Sequence, residues 1–239
     1  MIKFKLPFII WLLLLVMPCR AGEKTDLALV LAVDCSGSVD SREYHYQMDG
    51  IAAAFRDPAI IAAALSGPHH KIAVNILTWG DPDEQKFESG WQVISSPQSA
   101  EIFAQLAAGV DRRMGGGTGI GNAVAFALAL LRDGTITTDR QVIDVSGDGP
   151  ESWELREPHF KLVDAQKLRA RDGVTVNGLA IRTDYPDLDS YYRQFVAAGP
   201  ESFVISVDSY QAYAEAIRRK LLQELNPNMA SLLLQRAKY

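Results

Sequence analysis

The chain has 239 residues, with 24 basic and 29 acidic side chains and a formal net charge of −5. This acidic balance disfavours non-specific binding to nucleic acid or to an anionic membrane, because such partners repel a negative surface. Hydrophobic residues make up 48% of the chain and charged residues 22%, which excludes a disordered or collagen-like protein. The length favours a single domain with one core.

The first 21 residues have the pattern of a secretory signal. Two lysines precede an apolar run over residues 6–17, and Ala21 stands at the predicted cleavage site. The run is shorter than the about 20 residues that a membrane-spanning helix needs. We therefore expect an exported protein, periplasmic or secreted, whose mature chain carries a net charge of −8. A lipid anchor on Cys19 is the alternative, although Pro18 is unfavourable in front of it.

Strands and helices alternate along the rest of the chain. Continuous apolar runs predict strands buried on both faces, and apolar residues at helical spacing predict the helices. The predicted strands cover 26–34, 71–79, 86–94, 141–145, 174–181 and 203–207, the third being a more polar strand in an edge hairpin. The predicted helices cover 41–55 with Ser41 as N-cap, a short segment from Pro58, then 97–106, 120–131, 160–171, 190–198, 210–225 and 229–238.

This order predicts an α/β fold with a doubly wound, mostly parallel six-stranded sheet. One edge strand is antiparallel, and helices cover both faces. The predicted domain spans residues 22–225, and a helical tail follows over 226–239.

Polar side chains follow the strands at one edge of this sheet, where ligands of open α/β sheets gather. Asp34 ends the first strand, and Asp148 follows the strand over 141–145. The antiparallel hairpin reverses the chain, so the helix after it returns Thr118 and its glycine loop to the same edge. Three segments that are distant in sequence therefore converge.

The converging side chains offer only oxygen: two carboxylates and three hydroxyls. Such a set suits a hard cation such as Mg²⁺ or Mn²⁺, with water filling part of the shell. The spacing of Asp34, Ser36 and Ser38 lets one tight loop direct every second side chain to one point, with Gly37 allowing the bend.

These residues resemble the metal-ion-dependent adhesion site of von Willebrand factor type A domains. The motif consists of Asp34-x-Ser36-x-Ser38, Thr118 after glycines, and Asp148 at a strand end. The resemblance covers residues 26–225 in element order and includes the antiparallel edge. The whole chain also resembles a family of secreted bacterial proteins that is known only as a domain of unknown function.

The resemblance implies that the three hydroxyls, those of Ser36, Ser38 and Thr118, bind the cation directly. Asp34 and Asp148 would bind it directly or through water, and an acidic group of a protein partner would complete the shell. Mg²⁺ is the implied cation, with Mn²⁺ or Ca²⁺ as alternatives. One departure from the family pattern is the extra glycine directly before Asp148.

A Mg²⁺-dependent phosphohydrolase of the haloacid-dehalogenase type is the competing hypothesis. Asp34 would be the nucleophile, and Gly147-Asp148-Gly149 would hold the metal. That chemistry needs a second aspartate as general acid two residues after the nucleophile, where this chain has Ser36. We therefore expect a binding module and not an enzyme. A purely structural metal site is a third hypothesis.

Other polar and aromatic residues are interpreted without a metal. His69 and His70 are interpreted as a solvated loop pair, and Cys35 as a small buried residue. The acidic residues of the loop near 184–189 are interpreted as loop solvation and helix capping; they are Asp184, Asp187 and Asp189. Trp79 and Trp153 are candidate aromatic anchors of an interface at the metal edge.

Overall fold

The computed structural model of the chain describes residues 24–83, 86–113, 115–152 and 160–226. The predicted signal, Trp153 and the terminal helix predicted over 229–238 lie outside these residues. No helix within the described ranges has both the length and the apolar character needed to cross a membrane.

The observed elements follow the predicted order. The strands are β1 Lys24–Thr25, β2 Leu27–Asp34, β3 Ile72–Trp79, β4 Phe87–Glu88, β5 Gln92–Ile94, β6 Thr137–Thr138, β7 Gln141–Gly147, β8 Thr175–Ile181 and β9 Val204–Val207. The helices are α1 Ser41–Arg56, α2 Pro58–Ala64, α3 Pro97–Ala108, α4 Ile120–Arg132, α5 Leu162–Asp172, α6 Leu188–Tyr191 and α7 Tyr213–Leu225. A π-helical turn, Tyr192–Val196, continues α6, and a 3₁₀ turn, Tyr210–Ala212, precedes α7.

The main sheet confirms the predicted doubly wound architecture. Its order is β4-β3-β2-β7-β8-β9, and all pairs are parallel except those at the β3 edge. That edge position holds two short strands, because β5 also pairs with β3 in antiparallel fashion. Gly90, at φ 72°, lies between β4 and β5, where the hairpin strand was predicted to be continuous. We call the carboxyl ends of the parallel strands the upper edge and their amino ends the lower edge.

Helices on both faces explain why β2 is apolar throughout. Leu29 and Leu31 belong to one core cluster, which includes buried residues of α1, α3 and α7. Val30 and Ala32 belong to the other cluster, which includes buried residues of α4 and α5. Successive side chains of a strand point to opposite faces, so a strand covered on both sides needs apolar residues at every position.

The start of α1 corrects one sequence prediction. Asp40, not Ser41, is the N-cap: its carboxylate accepts the backbone N–H of Glu43 at 2.8 Å. The Glu43 carboxylate in turn accepts the backbone N–H of Asp40 at 2.8 Å. This reciprocal capping box satisfies two helix-end donors, which the single hydroxyl of Ser41 could not do.

A second, two-stranded sheet at the lower edge was not predicted. β1 and β6 pair in parallel, with Lys24 opposite Thr137 and Thr25 opposite Thr138. Strands of two residues are too short to produce a hydrophobic period. The pairing ties the segment before β2 to the segment before β7.

Candidate metal centre

Asp34 ends β2 with its side chain fully buried. Its Oδ1 accepts the backbone N–H of Ser36 at 2.8 Å, whereas its Oδ2 has no hydrogen-bond partner among the described residues. Burial, together with the negative charge of Asp148, raises the pKa of Asp34 to about 7. A buried carboxylate in this situation is stabilised by a nearby positive charge.

Two serine hydroxyls connect the loop after β2 to the loop after β7. The Oγ atoms of Ser36 and Ser38 are 3.2 Å apart, and the Ser38 hydroxyl donates to Oδ1 of Asp148 at 2.7 Å. Burial raises the pKa of Asp148, and the hydrogen bond from Ser38 partly opposes this shift. The four oxygen-bearing side chains thus form one contiguous polar cluster.

Thr118 reaches the same edge from a third segment. Its main chain makes two hydrogen bonds with Ser152, at 2.9 Å from the Thr118 N–H and 3.0 Å from the Ser152 N–H. Its Oγ1 is 3.9 Å from the point that a Cβ on Gly149 would occupy, directly beside Asp148. The structure therefore places all five residues of the predicted set at the upper edge.

Glycines let the loops of this site approach one another backbone to backbone. The Gly37 N–H donates to the Gly116 carbonyl at 2.9 Å, and a Cβ on Gly37 would lie only 3.0 Å from that oxygen. Gly116 itself has φ 68°, a conformation that glycine adopts without strain. The Asp81 carboxylate accepts the Gly117 N–H at 3.0 Å and so fixes the glycine loop. Sequence analysis did not assign Asp81 to the site.

The glycine before Asp148 has a steric explanation. A Cβ on Gly147 would lie 2.7 Å from Oδ2 of Asp34 and 2.8 Å from the hydroxyl oxygen of Tyr192. Such contacts are too short for real Cβ atoms, so no larger residue fits without moving the Asp34 carboxylate. The departure from the family pattern makes room for the site.

Two tyrosines close to the acids were missed by sequence analysis. Burial, followed by the negative charges of Asp34 and Asp148, raises the pKa of both Tyr192 and Tyr210. Both phenols therefore stay protonated, as O–H groups beside the carboxylates. Tyr210 follows the end of β9, so its position after a strand was a usable signal. The sequence around Tyr192 carries no comparable signal.

Other predicted residues have simpler roles. Trp79 is completely buried in the core, so the hypothesis that it is an exposed interface anchor is wrong. Cys35 is buried in the opposite core cluster, as expected. Asp189 forms ion pairs with Arg193 at 2.5 Å and Arg182 at 3.8 Å, and the Arg193 pair lowers the pKa of Asp189.

The two acids at the upper edge have no counter-ion in the part of the chain that the structure describes. Within the described residues, no lysine, arginine or histidine forms an ion pair with Asp34 or Asp148. Arg112 is near, but its guanidinium donates to the main-chain oxygen of Ser36 at 2.9 Å. An unpartnered buried carboxylate oxygen beside clustered hydroxyls fits a divalent cation.

The fold is the one found in von Willebrand factor type A domains, and solved structures of low sequence identity share it. The pilus adhesin SpaC from Lactobacillus rhamnosus GG has a TM-score of 0.60 and 14% identity over 84% of this chain and 31% of its own. Proximal thread matrix protein 1 from the mussel byssus has a TM-score of 0.58 and 15% identity over 86% of this chain and 47% of its own. The von Willebrand factor domain of the pili tip protein Mfa5 from Porphyromonas gingivalis has a TM-score of 0.55 and 9% identity over 84% of this chain and 95% of its own.

The chain belongs to the family described as "Protein of unknown function (DUF1194)", which matches residues 24–229. It spans less than half the length of the pilus adhesin and of the thread matrix protein. A further structure of the thread matrix protein, with a TM-score of 0.53 and 13% identity over 84% of this chain and 48% of its own, has a zinc-occupied metal-ion-dependent adhesion site motif. No curated protein matches the sequence.

Proposed function

We propose that the chain is an exported, metal-dependent protein-binding module whose upper edge holds a divalent cation. The proposed ligands are Asp34, Ser36, Ser38, Thr118 and Asp148. The observation that carries this proposal is a pair of buried carboxylates that has no cationic partner among the described residues. The Ser36 N–H donates to one acid, and the hydroxyls of Ser36 and Ser38 lead from there to the other. Because every donor is a hard oxygen, Mg²⁺ is the preferred ion, with Mn²⁺ or Ca²⁺ as alternatives.

A cation in this place would attract an acidic group of a partner protein. The ion would be the largest local charge, so it would govern the contact although the mature chain as a whole is negative. The named neighbours support a role in adhesion or assembly, since they are a pilus adhesin, a byssus matrix protein and a pili tip protein.

The geometry favours this function over phosphohydrolysis. The Asp34 side chain is fully buried, so a group as large as a phosphate ester has no path to its carboxylate. Ser36 also occupies the place of the required general acid. Hydrolysis of a generic aryl phosphate that disappears in Asp34→Asn would contradict the proposal.

Direct cation binding is the first test. We expect Mn²⁺ to bind the parent but not the Asp34→Ala/Ser36→Ala variant. Titration calorimetry or electron paramagnetic resonance measures this binding. The matched control is Asp187→Ala/Ser190→Ala, since both side chains lie exposed in the α6 region. If the site variant binds Mn²⁺ as tightly as the control does, the ligand assignment is wrong.

Partner capture is the second test. Immobilised parent protein, incubated with an extract of the exporting cell's envelope, should retain a partner with Mg²⁺ and release it on chelation. The Asp34→Ala/Ser36→Ala variant should not retain that partner under either condition. A partner held equally by the parent and by the site variant would place the binding surface elsewhere.

A further inference from the structure

A second cluster of metal-ligand side chains lies at the lower edge, at the opposite end of the sheet from the proposed cation site. Nε2 of His69 is 2.9 Å from Oδ2 of Asp139. Oδ1 of Asp26 accepts the backbone N–H of His69 at 2.8 Å, and its Oδ2 accepts that of Lys71 at 3.3 Å. One ligand atom from each of Asp26, His69 and Asp139 lies within 4.8 Å of the others.

The main chain holds these three residues together independently of their side chains. The Asp139 N–H donates to the carbonyl of Thr25 at 3.1 Å, beside the β1–β6 pair. The Asp26 N–H donates to the carbonyl of Lys71 at 2.9 Å, two residues after His69. A Cβ on Gly67 would lie 2.3 Å from Cγ of Asp26, so the loop packs directly on this carboxylate. The fold therefore brings the three residues together, and the loop holds the Asp26 carboxylate in place.

We infer that Asp26, His69 and Asp139 form a binding site for a Zn²⁺-type cation, distinct from the upper edge. One imidazole nitrogen and two carboxylate oxygens suit Zn²⁺ and similar borderline ions, whereas an all-oxygen set suits Mg²⁺. Tetrahedral ligands at about 2.0–2.2 Å from zinc are about 3.3–3.6 Å apart. Nε2 of His69 and Oδ2 of Asp139 are 2.9 Å apart, and the ligand atoms of all three residues lie within 4.8 Å of one another, which is compatible with that spacing.

Water can reach this cluster to complete a coordination shell. The side chains of His69 and Asp139 are 28% and 44% exposed. A cavity of about 430 Å³, lined in part by Asp26 and Asp139, opens beside them. Three protein ligands with a fourth position open to water or a partner group are a common arrangement for bound zinc.

Lys24 competes with a metal for this site. Its Nζ is 2.5 Å from Oδ1 of Asp139, and with this ion pair it lowers the pKa of Asp139. A bound cation would repel the ammonium group, which is half exposed and can move into solvent. Lys24 therefore lowers the affinity of the site, and removing its charge should raise it.

The test uses the full chain carrying Asp148→Asn, so that zinc at the upper edge does not contribute. After chelation and removal of the chelator, Zn²⁺ titration calorimetry should show one site. His69→Asn should weaken Zn²⁺ binding by more than about 10-fold, since the loss of even an outer-shell partner costs that much. Lys24→Met should tighten binding.

The matched control is His70→Asn. His70 neighbours His69, lies outside the cluster and has φ 52°, a conformation that asparagine tolerates. Zn²⁺ should bind the control as it binds the Asp148→Asn parent, and it should raise the melting temperature of both but not that of His69→Asn. Equal Zn²⁺ affinity in the two histidine variants, or no binding in their parent, would overturn the inference.

This test is independent of the upper edge. In an otherwise unchanged chain, His69→Asn should leave Mn²⁺ binding at the upper edge unaffected. Loss of Mn²⁺ binding in that variant would mean that the substitution disturbs the fold, and it would contradict a site that acts separately.

Discussion

β7 contributes to two buried acid pairs that differ in how their charge is balanced. At its upper end, Asp148 faces Asp34 across the serine hydroxyls, and neither acid pairs with a cation in the described part of the chain. Within the strand, Asp144 shares Lys220 with Glu224 of α7: Nζ of Lys220 is 2.7 Å from an oxygen of each. All three of these side chains are buried.

The difference distinguishes an acid pair that is neutralised by a lysine of the protein from one that is ready to bind an external cation. Lys220 supplies the Asp144–Glu224 pair with an internal cation and connects α7 to the sheet, and Asn177 of β8 donates to Glu224 at 2.8 Å. The Asp34–Asp148 pair can obtain a positive charge only from outside the described residues. Substitutions that alter one pair at a time can test this distinction.

The largest expected effect comes from removing the internal cation. Lys220→Met leaves two carboxylates facing each other in the core, which should lower the free energy of unfolding by about 3–5 kcal/mol. Urea denaturation measures this loss. Lys167→Met is the control, because Lys167 forms an exposed ion pair with Asp164 and should cost about 0.5 kcal/mol or less. Equal losses in both variants would show that Lys220 does not stabilise α7.

Neutralising an acid at the upper edge should raise the free energy of unfolding, whereas removing Lys220 should lower it. Without metal at pH 8, Asp34→Asn should raise the free energy of unfolding by about 1–3 kcal/mol, because it removes a buried charge that the fold disfavours. The same variant should lose any stabilisation by Mg²⁺. Urea denaturation with Mg²⁺ and with chelator separates the two effects. A destabilised apo variant would contradict the idea of an unbalanced pair.

The next largest effect should come from filling the space beside the Asp34 carboxylate. Gly147→Ala places a methyl group against Oδ2 of Asp34, which should cost about 1–3 kcal/mol of stability and weaken Mn²⁺ binding. Gly149→Ala is the control, because its Cβ would meet nothing closer than 3.6 Å. Calorimetric titration of both variants checks this. Unchanged Mn²⁺ affinity in Gly147→Ala would remove the steric explanation for this glycine.

The smallest expected effect is a pH dependence from Asp144. Burial, only partly opposed by Lys220, raises the pKa of Asp144 to about 7. The native state therefore keeps a proton that the unfolded chain loses near pH 4, so this contribution to stability is lost as pH rises from about 4 to 7. With saturating Mg²⁺, Asp144→Asn should flatten the decline in unfolding free energy over this range. An unchanged slope would show that Asp144 does not carry this linkage.

Sequence analysis predicted the features that depend on local pattern. The apolar run predicted β2 as a strand covered on both faces, and the helical spacing predicted α4 as a helix that packs on the sheet. The strand direction then places Asp34 and Asp148 at one edge. The bounds of α1 were predicted to within one residue, but its N-cap was not, because the side chain of Asp40 and not that of Ser41 caps the helix.

The remaining features depend on contacts between distant segments. His69 meets Asp139 from 70 positions away, so no spacing motif could reveal the lower cluster. Tyr192 comes close to Asp34 because the π-helical turn that continues α6 packs on β8, and this tyrosine contributes to the steric role of Gly147. The pairing of β1 with β6 is likewise invisible in two-residue strands.

The strand order has a mechanical consequence for a protein that binds through its upper edge. Asp34 ends β2 and Asp148 follows β7, and these strands are hydrogen-bonded neighbours in the interior of the sheet. If the proposed site holds a partner, a force applied between it and the amino ends of these strands would run along both strand axes. It therefore loads the backbone hydrogen bonds to β3 and β8 in shear, all at once, whereas a pull across a sheet edge would open them one by one. A force applied at this site would therefore be distributed over the hydrogen bonds of two interior strands.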